Sequence, residues 1–456
     1  MQLEYLYKTR GYKLTGRILR GCVLVIPLLP GLVLATSLEE AVGTAIKTDP
    51  RVTAAQADRR AAKLDIREAR AGYFPTLDVN GGYGREKSNI KSLRQAGLDD
   101  RFLNRREFGL HLNQMLYDGL FTSSEVERRE SLLSAAGSSA SDVRERVAFS
   151  TVQAYLDVLR NRRLVSLAEQ NVKEHEQTLV KVAARRIKGV GTDADRSQAA
   201  ARVALAHSVL TAREGRLREA VTSYKRLVGE YPQALEDLEL KPATLLKGKT
   251  IDQDKLAAAI RSATSEALAE HPALKAAQAQ VGAIEAQARG VKSSFLPRLD
   301  LQINANRNSD LSGIEGIRNA DNIMLVGRWN LFRGGADSAR QKAIAERRTS
   351  VQDSAADTRK AISERVAIAV QAKATSEERL QYLNAHVSSS AETLESYQAQ
   401  LRLGRRTLLD SLNAANELFT ARSNLVSGSY EDILNSYFID ASKGVLVKRL
   451  GLGGGQ

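Results

Sequence analysis

Between residues 299 and 306, Leu299, Leu301, Ile303 and Ala305 alternate with Asp300, Gln302, Asn304 and Asn306. A period of two puts apolar groups on one face of a strand and polar groups on the other. A weaker version runs over 76–85, where Leu77, Val79 and Tyr83 alternate with Thr76, Asp78 and Asn80. Return strands are expected at about 108–117, through Phe108, Leu110, Leu112 and Leu116, and at about 322–332, through Ile323, Leu325, Trp329 and Leu331. Polar loops, about 86–107 and 307–321, separate the members of each pair, and Asn113 and Arg328 fall on the polar face.

Helical periodicity governs the rest. Ala- and Arg-rich helices are expected at about 37–73 and 257–294, and they end at "YFPTLDVN" and "FLPRLDLQ". Pro75 and Pro297 stop them, because proline lacks an amide donor and clashes with the preceding turn. Gly119, Gly334 and Gly335 then release the strands into the longest helices. Residues 120–187 contain no proline, and at 1.5 Å per residue such a helix is roughly 100 Å long. Val158, Val165, Val172 and Leu179 recur every seventh position, as do Leu380, Val387, Leu394 and Leu401. That spacing belongs to a coiled-coil seam. Gly189 and Gly191 in "KGVGTDAD", and Gly404 in "LGRRTLLD", mark hairpin tips from which helices return to about 229 and 444.

The halves are two copies of one design. "PRVTAAQA" at 50–57 answers "PALKAAQA" at 272–279, and Pro75 and Pro297 keep the same shift of 222 residues. "LYDG" at 116–119 answers "LFRGG" at 331–335, now shifted by 215, as are Gly189 and Gly404, and Asp195 and Asp410. So long a period indicates an internal duplication, not a solenoid. The expected organisation is a signal peptide at 1–35, a first repeat at 36–230, an inter-repeat segment at 231–256, a second repeat at 257–446 and a flexible tail at 447–456.

Composition sharpens this. Apolar residues make up 43% of the 456, but aromatics only 5% and Trp329 is the single tryptophan, which favours long thin packing over one thick core. The first 20 residues carry five basic side chains and one acidic one, followed by "CVLVIPLLPGLVLA". That run is short, broken by Pro27 and Pro30, and ends at small residues near Ala35, as in a secretory signal peptide. Its removal lowers the net charge from +14 to about +10. The only cysteine, Cys22, goes with it and precedes the apolar run, so neither disulfides nor lipidation are expected. The five histidines are scattered, with no metal-ligand spacing, and no cofactor is expected.

Strands of about ten residues, apolar on one face, fit a bilayer-spanning barrel. Four strands cannot close one, and open edges cannot face lipid, so the chain must oligomerise. The signal peptide and these strands point to the bacterial outer membrane, with the long helices in the periplasm.

With these features in place, the chain resembles the TolC family of outer-membrane channel proteins over about 37–445. The resemblance is carried by "SLEEAVGTAIKTDPRV", "ARAGYFPTLDV", "SSFLPRLDL", "LFRGG" and "GRRTLLDSLNAANELF". It implies a mainly α fold with a small membrane β part: a homotrimer with a twelve-stranded barrel and a helical periplasmic tunnel closed at its tip. It also implies docking to a periplasmic adaptor and an inner-membrane transporter of ABC type. The tip and "AYLDVLRNRRLVSLAEQNV" at 154–172 look more like the type I protein-secretion branch than the multidrug branch.

The resemblance assigns a periplasmic gate to Asp410, Asn413, Arg406 and Asp195. In a trimer Asp410 forms a ring of three carboxylates. Similar proteins carry a second Asp where Asn413 stands, which halves the expected ring charge, and often a Tyr where Leu401 stands. Arg406 matches an arginine that ties tip helices together, with Asp195 as its expected partner. Read without the resemblance, these are solvated charges near turns. The lipid-facing set is expected to be Leu299, Leu301, Ile303, Ile323, Leu325 and Trp329.

Other function classes fit less of the sequence. A pI of 9.7 suggests nucleic-acid binding, but Lys and Arg interleave with Glu along the helices and form no basic patch with aromatics. A periplasmic structural coiled coil explains the heptads but not the strands. No phosphate loop or nucleophile elbow supports an enzyme. Multidrug efflux is the rival reading within the family.

Overall fold

The computed structural model describes residues 36–236 and 252–453. The expected signal peptide, Cys22 and most of the inter-repeat segment lie outside the described residues. The first repeat runs α1 (Leu38–Thr48), α2 (Pro50–Ala71), β1 (Thr76–Lys87), α3 (Lys91–Gln95), β2 (Phe102–Tyr117), α4 (Phe121–Ile187) and α5 (Asp193–Val228). The second runs α6 (Gln253–Glu270), α7 (Pro272–Val291), β3 (Arg298–Ser309), β4 (Ile317–Arg328), α8 (Ala336–Arg402) and α9 (Leu408–Lys443), and α10 (Leu446–Arg449) follows.

Two expected helices are each two helices. The stretch 37–73 breaks at Asp49, whose carboxylate caps α2 by accepting from the Arg51 amide, with Pro50 at the first helical position. The stretch 257–294 breaks at His271, whose Nδ1 accepts from the Ala273 amide ahead of α7. Proline is tolerated at a helix start, where its missing donor costs nothing, so it begins a new helix. The helix expected at 120–187 is α4, and α8 repeats its length, with 67 residues in each. Toward the sheet α4 packs against α2 and α7 and α8 against α7; toward the tips α4 packs against α5 and α9, and α8 against α9.

The strands pair in the order β1-β2-β3-β4, all antiparallel, which leaves β1 and β4 as open edges. They run further outward than alternation alone indicated, because the stretches read as polar loops continue the ladder: Lys87 pairs with Phe102, and Ser309 with Ile317. The fourth strand ends at Arg328, so Trp329 and Leu331 lie beyond it, in the turn toward α8. The Trp329 indole donates to the Phe295 carbonyl at 3.2 Å and so anchors that turn under the sheet.

The main core lies midway along the helical wall, where Leu38, Val42, Val52, Val147, Val152, Tyr155, Tyr224 and Leu446 are buried together. The Tyr155 hydroxyl lies 3.0 Å from the Thr36 carbonyl and 2.8 Å from that of Glu236, fastening both ends of the first repeat to α4. The described start of the segment expected as a flexible tail at 447–456 is packed onto the wall. Leu446, Val447 and Leu450 are buried, and the first amides of α10 point at Glu145: Leu446 N at 2.9 Å and Val447 N at 3.2 Å. A helix start presents unpaired amides, and the carboxylate satisfies them.

Burial raises the Glu145 carboxyl to about 7, outweighing those amides. Its folded value lies above the ordinary value of 4.5, so its contribution to stability is complete below the unfolded value and is lost as pH rises through 7. Melting temperature is therefore expected to fall between pH 5 and 8, by an amount corresponding to on the order of 3 kcal/mol. Glu145→Gln keeps an acceptor and removes the charge, so its melting profile should be flat over that range. A slope as steep as wild type would remove Glu145 from the account.

Candidate functional site

The register sorts the sheet into two surfaces, because residues paired across antiparallel strands share a face. One transverse row reads Leu77, Leu112, Ile303, Ile323 across all four strands, and the row below it reads Gln114, Leu301, Leu325. Offset by one residue, the other face reads Asp78, His111, Asn304, Asn322. Those polar groups bond laterally: His111 Nδ1 lies 2.8 Å from Asn304 Oδ1, and Asn304 Nδ2 donates to Asn322 Oδ1 at 2.8 Å. The polar face is also crowded. A Cβ at Gly109 would stand 2.3 Å from Asn80 Oδ1 and 2.8 Å from His111 Nε2.

At the helical end of that face, the carboxylate of Asp300 is fully buried between two guanidinium groups, Arg298 Nε and Arg328 Nη2, each at 3.0 Å. Alternation had placed Asp300 and Arg328 on one face, and the register makes them partners. Pro75 and Pro297 stand between helix and strand, and Gly119, Gly334 and Gly335 between strand and helix.

At the opposite end, Gly189 and Gly404 close the α4 and α8 helices with φ of 75° and 70°. That left-handed conformation is open to glycine without steric cost, so the chain can turn within a few residues. Each return helix starts with the same reciprocal cap. The Thr192 hydroxyl accepts from the Asp195 amide while Asp195 accepts from the Thr192 amide, and Thr407 and Asp410 repeat the arrangement. The Thr407 hydroxyl, followed by its amide, holds the Asp410 carboxyl below the usual carboxylate range.

Within the protomer the expected Arg406–Asp195 pair does not form. The Arg406 guanidinium lies over the Tyr397 ring at 4.3 Å, its Nε donates to Gln400 at 3.2 Å, and its Nη1 is 3.8 Å from Asp410. All three partners belong to its own hairpin, while Asp195 is occupied capping α5. The two hairpins are joined instead by Arg202 of α5, which donates to Asn413 Oδ1 of α9 at 2.7 Å, and by a small core of Val182, Ala199, Leu408 and Leu412. Arg202 was missed because its partner is 211 residues away and no local pattern marks it. Gly191 sits against the α4 end, where a Cβ would meet the Arg186 amide at 3.1 Å.

A family model described as outer membrane efflux protein matches residues 41–230 and 263–432, most of the chain, in two blocks that follow the duplication. The chain belongs to this family. It is similar to outer membrane efflux protein BepC of Brucella suis, 24% identical over 432 residues, which cover 92% of this chain and 88% of the relative. It is likewise similar to cation efflux system protein CusC of Escherichia coli, 24% identical over 400 residues, covering 83% and 81%. Crystal structures of CusC share the fold with a TM-score of 0.77 at 17% identity, covering 92% of this chain and 93% of that one. The Campylobacter jejuni CmeC outer membrane channel does so with 0.74 at 15% identity, covering 90% and 86%. The family places the chain in the outer membrane as an efflux channel. Among the described residues no helix is long and apolar enough to cross a membrane.

Proposed function

We propose that the chain is one third of a trimeric exit duct in a tripartite export system, most consistent with type I protein secretion. The carrying observation is a four-stranded sheet with two open edges and sharply different faces. Edge joined to edge, three copies make twelve strands with the apolar rows toward lipid and the Asp78–His111–Asn304–Asn322 row lining the lumen. The α4/α5 and α8/α9 hairpins carry the wall into the periplasm, where their tips meet a periplasmic adaptor and an inner-membrane transporter of ABC type. The likeness of the tip sequence "GRRTLLDSLNAANELF" to the type I secretion branch supports protein cargo. The relatives BepC and CusC, an efflux and a cation efflux protein by name, favour a small-molecule reading. Deleting the gene separates the two: loss of a secreted protein with unchanged drug and metal tolerance supports the first, and the converse supports the second.

The gate lies in the tips, with Asp410 as a ring of three carboxylates. The Arg202–Asn413 contact is the latch between hairpins, and Arg406 keeps the second hairpin folded. These are exposed contacts worth at most about 1 kcal/mol each. Acting together in three copies, they still shift the open fraction several-fold, since about 1.4 kcal/mol is a factor of ten. Arg202→Ala is expected to raise open time in planar bilayers. Asp410→Asn, which keeps the cap acceptor, should leave open time unchanged and weaken block by multivalent cations. Wild-type conductance and block in both variants would move the gate elsewhere.

A further inference from the structure

The apolar face of the sheet changes character toward its outer end. Above the Leu77–Leu112–Ile303–Ile323 row come Val79, Leu110 and Ala305, then Phe108 beside Arg307, then Tyr83 beside Arg106, and finally Arg85. Tyr83, Phe102 and Phe108 are all more than half exposed. The Arg85 guanidinium lies 5.4 Å from the centre of the Phe102 ring. Tyr83 is six residues beyond Leu77, about 20 Å along a strand, or about 15 Å of height at a barrel tilt near 40°. That is half the thickness of a hydrocarbon core, so with the Leu77–Leu112–Ile303–Ile323 row at mid-bilayer this rim falls at the headgroup level of the outer leaflet.

At this level some arginines are paired with carboxylates and others are not. On the inner face, Arg105 is paired with both Glu86 and Glu107. On the outer face, Arg307 is paired with Asp321 at 2.6 Å, yet among the described residues neither Arg85 nor Arg106 has a carboxylate partner. These two are diagonal neighbours, since Arg106 pairs with Tyr83 and Arg85 with Asn104. Diagonal neighbours stand about 7–8 Å apart, within reach of one anionic group. Planar guanidinium forks suit phosphate oxygens, and an aromatic girdle suits the adjoining glycerol or sugar level.

We propose that Arg85 and Arg106 bind the phosphate of an anionic glycolipid headgroup in the outer leaflet, with Tyr83, Phe102 and Phe108 seating its lipid end. The proposal rests on the apolar face being the lipid face. The site is therefore outside the duct and occurs once per protomer. It holds the barrel at a fixed height and takes no part in export.

The test is the melting temperature of the full trimer in neutral detergent, titrated with diphosphorylated lipid A, with its dephosphorylated form and with inorganic phosphate. Only the diphosphorylated lipid should raise it, with an apparent affinity roughly tenfold weaker in Arg85→Gln/Arg106→Gln. Arg318→Gln, the same charge change at a position that shares the inner face with Asn308, should behave as wild type. Equal stabilisation by the dephosphorylated lipid, an equal effect of inorganic phosphate, or an unaltered affinity in the double variant would each overturn the proposal. Its failure is distinct from failure of the lipid-face assignment, which is decided separately by the assembly of Ile323→Arg.

Discussion

Ile323→Arg is expected to abolish assembly into the outer membrane, whereas Asn322→Arg, one residue away, should assemble normally. Ile323 is 72% exposed in the protomer and closes the apolar row that begins at Leu77. If that row faces the middle of the bilayer, an arginine there costs about 2–4 kcal/mol per protomer, and three copies multiply the penalty in one barrel. Asn322 points to the other face, beside Asn304 at 2.8 Å, where a lumen offers water to a new charge. Detergent-resistant trimers in outer-membrane fractions are the readout, with conductance as a second measure for Asn322→Arg. If the two variants assemble equally well or equally badly, the faces are assigned wrongly.

The second large effect lies inside the helical wall. Lys373 of α8 is 1% exposed, and its Nζ lies 2.8 and 2.7 Å from the two carboxylate oxygens of Asp432 on α9 and 3.2 Å from Glu377. The Ser376 hydroxyl donates to the same aspartate at 2.7 Å. Removing the ammonium leaves the buried Asp432 carboxylate without its counter-ion, so Lys373→Ala is expected to cost about 3–5 kcal/mol and to lower the melting temperature sharply. The triple variant Lys373→Met/Glu377→Gln/Asp432→Leu removes the charges together and should recover most of that loss, because the attraction of a buried pair is largely offset by desolvation. A single variant that melts like wild type would show that water reaches this cluster.

Several things were readable from the chain alone. The parity of 299–306 set which residues share a face, and the paired registers preserve it. The duplication, the two proline entries and the glycine tips set the order of elements, because each is a local constraint on φ, on an amide donor or on side-chain direction. Pro50 and Pro272 were equally visible, but their position at a helix start, and not a helix interior, depended on Asp49 and His271 acting as caps.

Other features were decided only when distant segments met. Arg406 has Tyr397 and Gln400 within reach because the turn at Gly404 folds it back onto α8, and Asp195 is already committed to Thr192. Arg202 finds Asn413, and Lys373 finds Asp432, through the lateral register of long helices, which a seven-residue repeat leaves free to slip by whole heptads. Leu446, Val447 and Leu450 are buried because unpaired amides at the start of α10 meet Glu145, some 300 residues earlier in the chain. Sequence periodicity determines which way a side chain points from its own element. Which side chain it meets depends on how the elements are packed, and only the tertiary structure sets that.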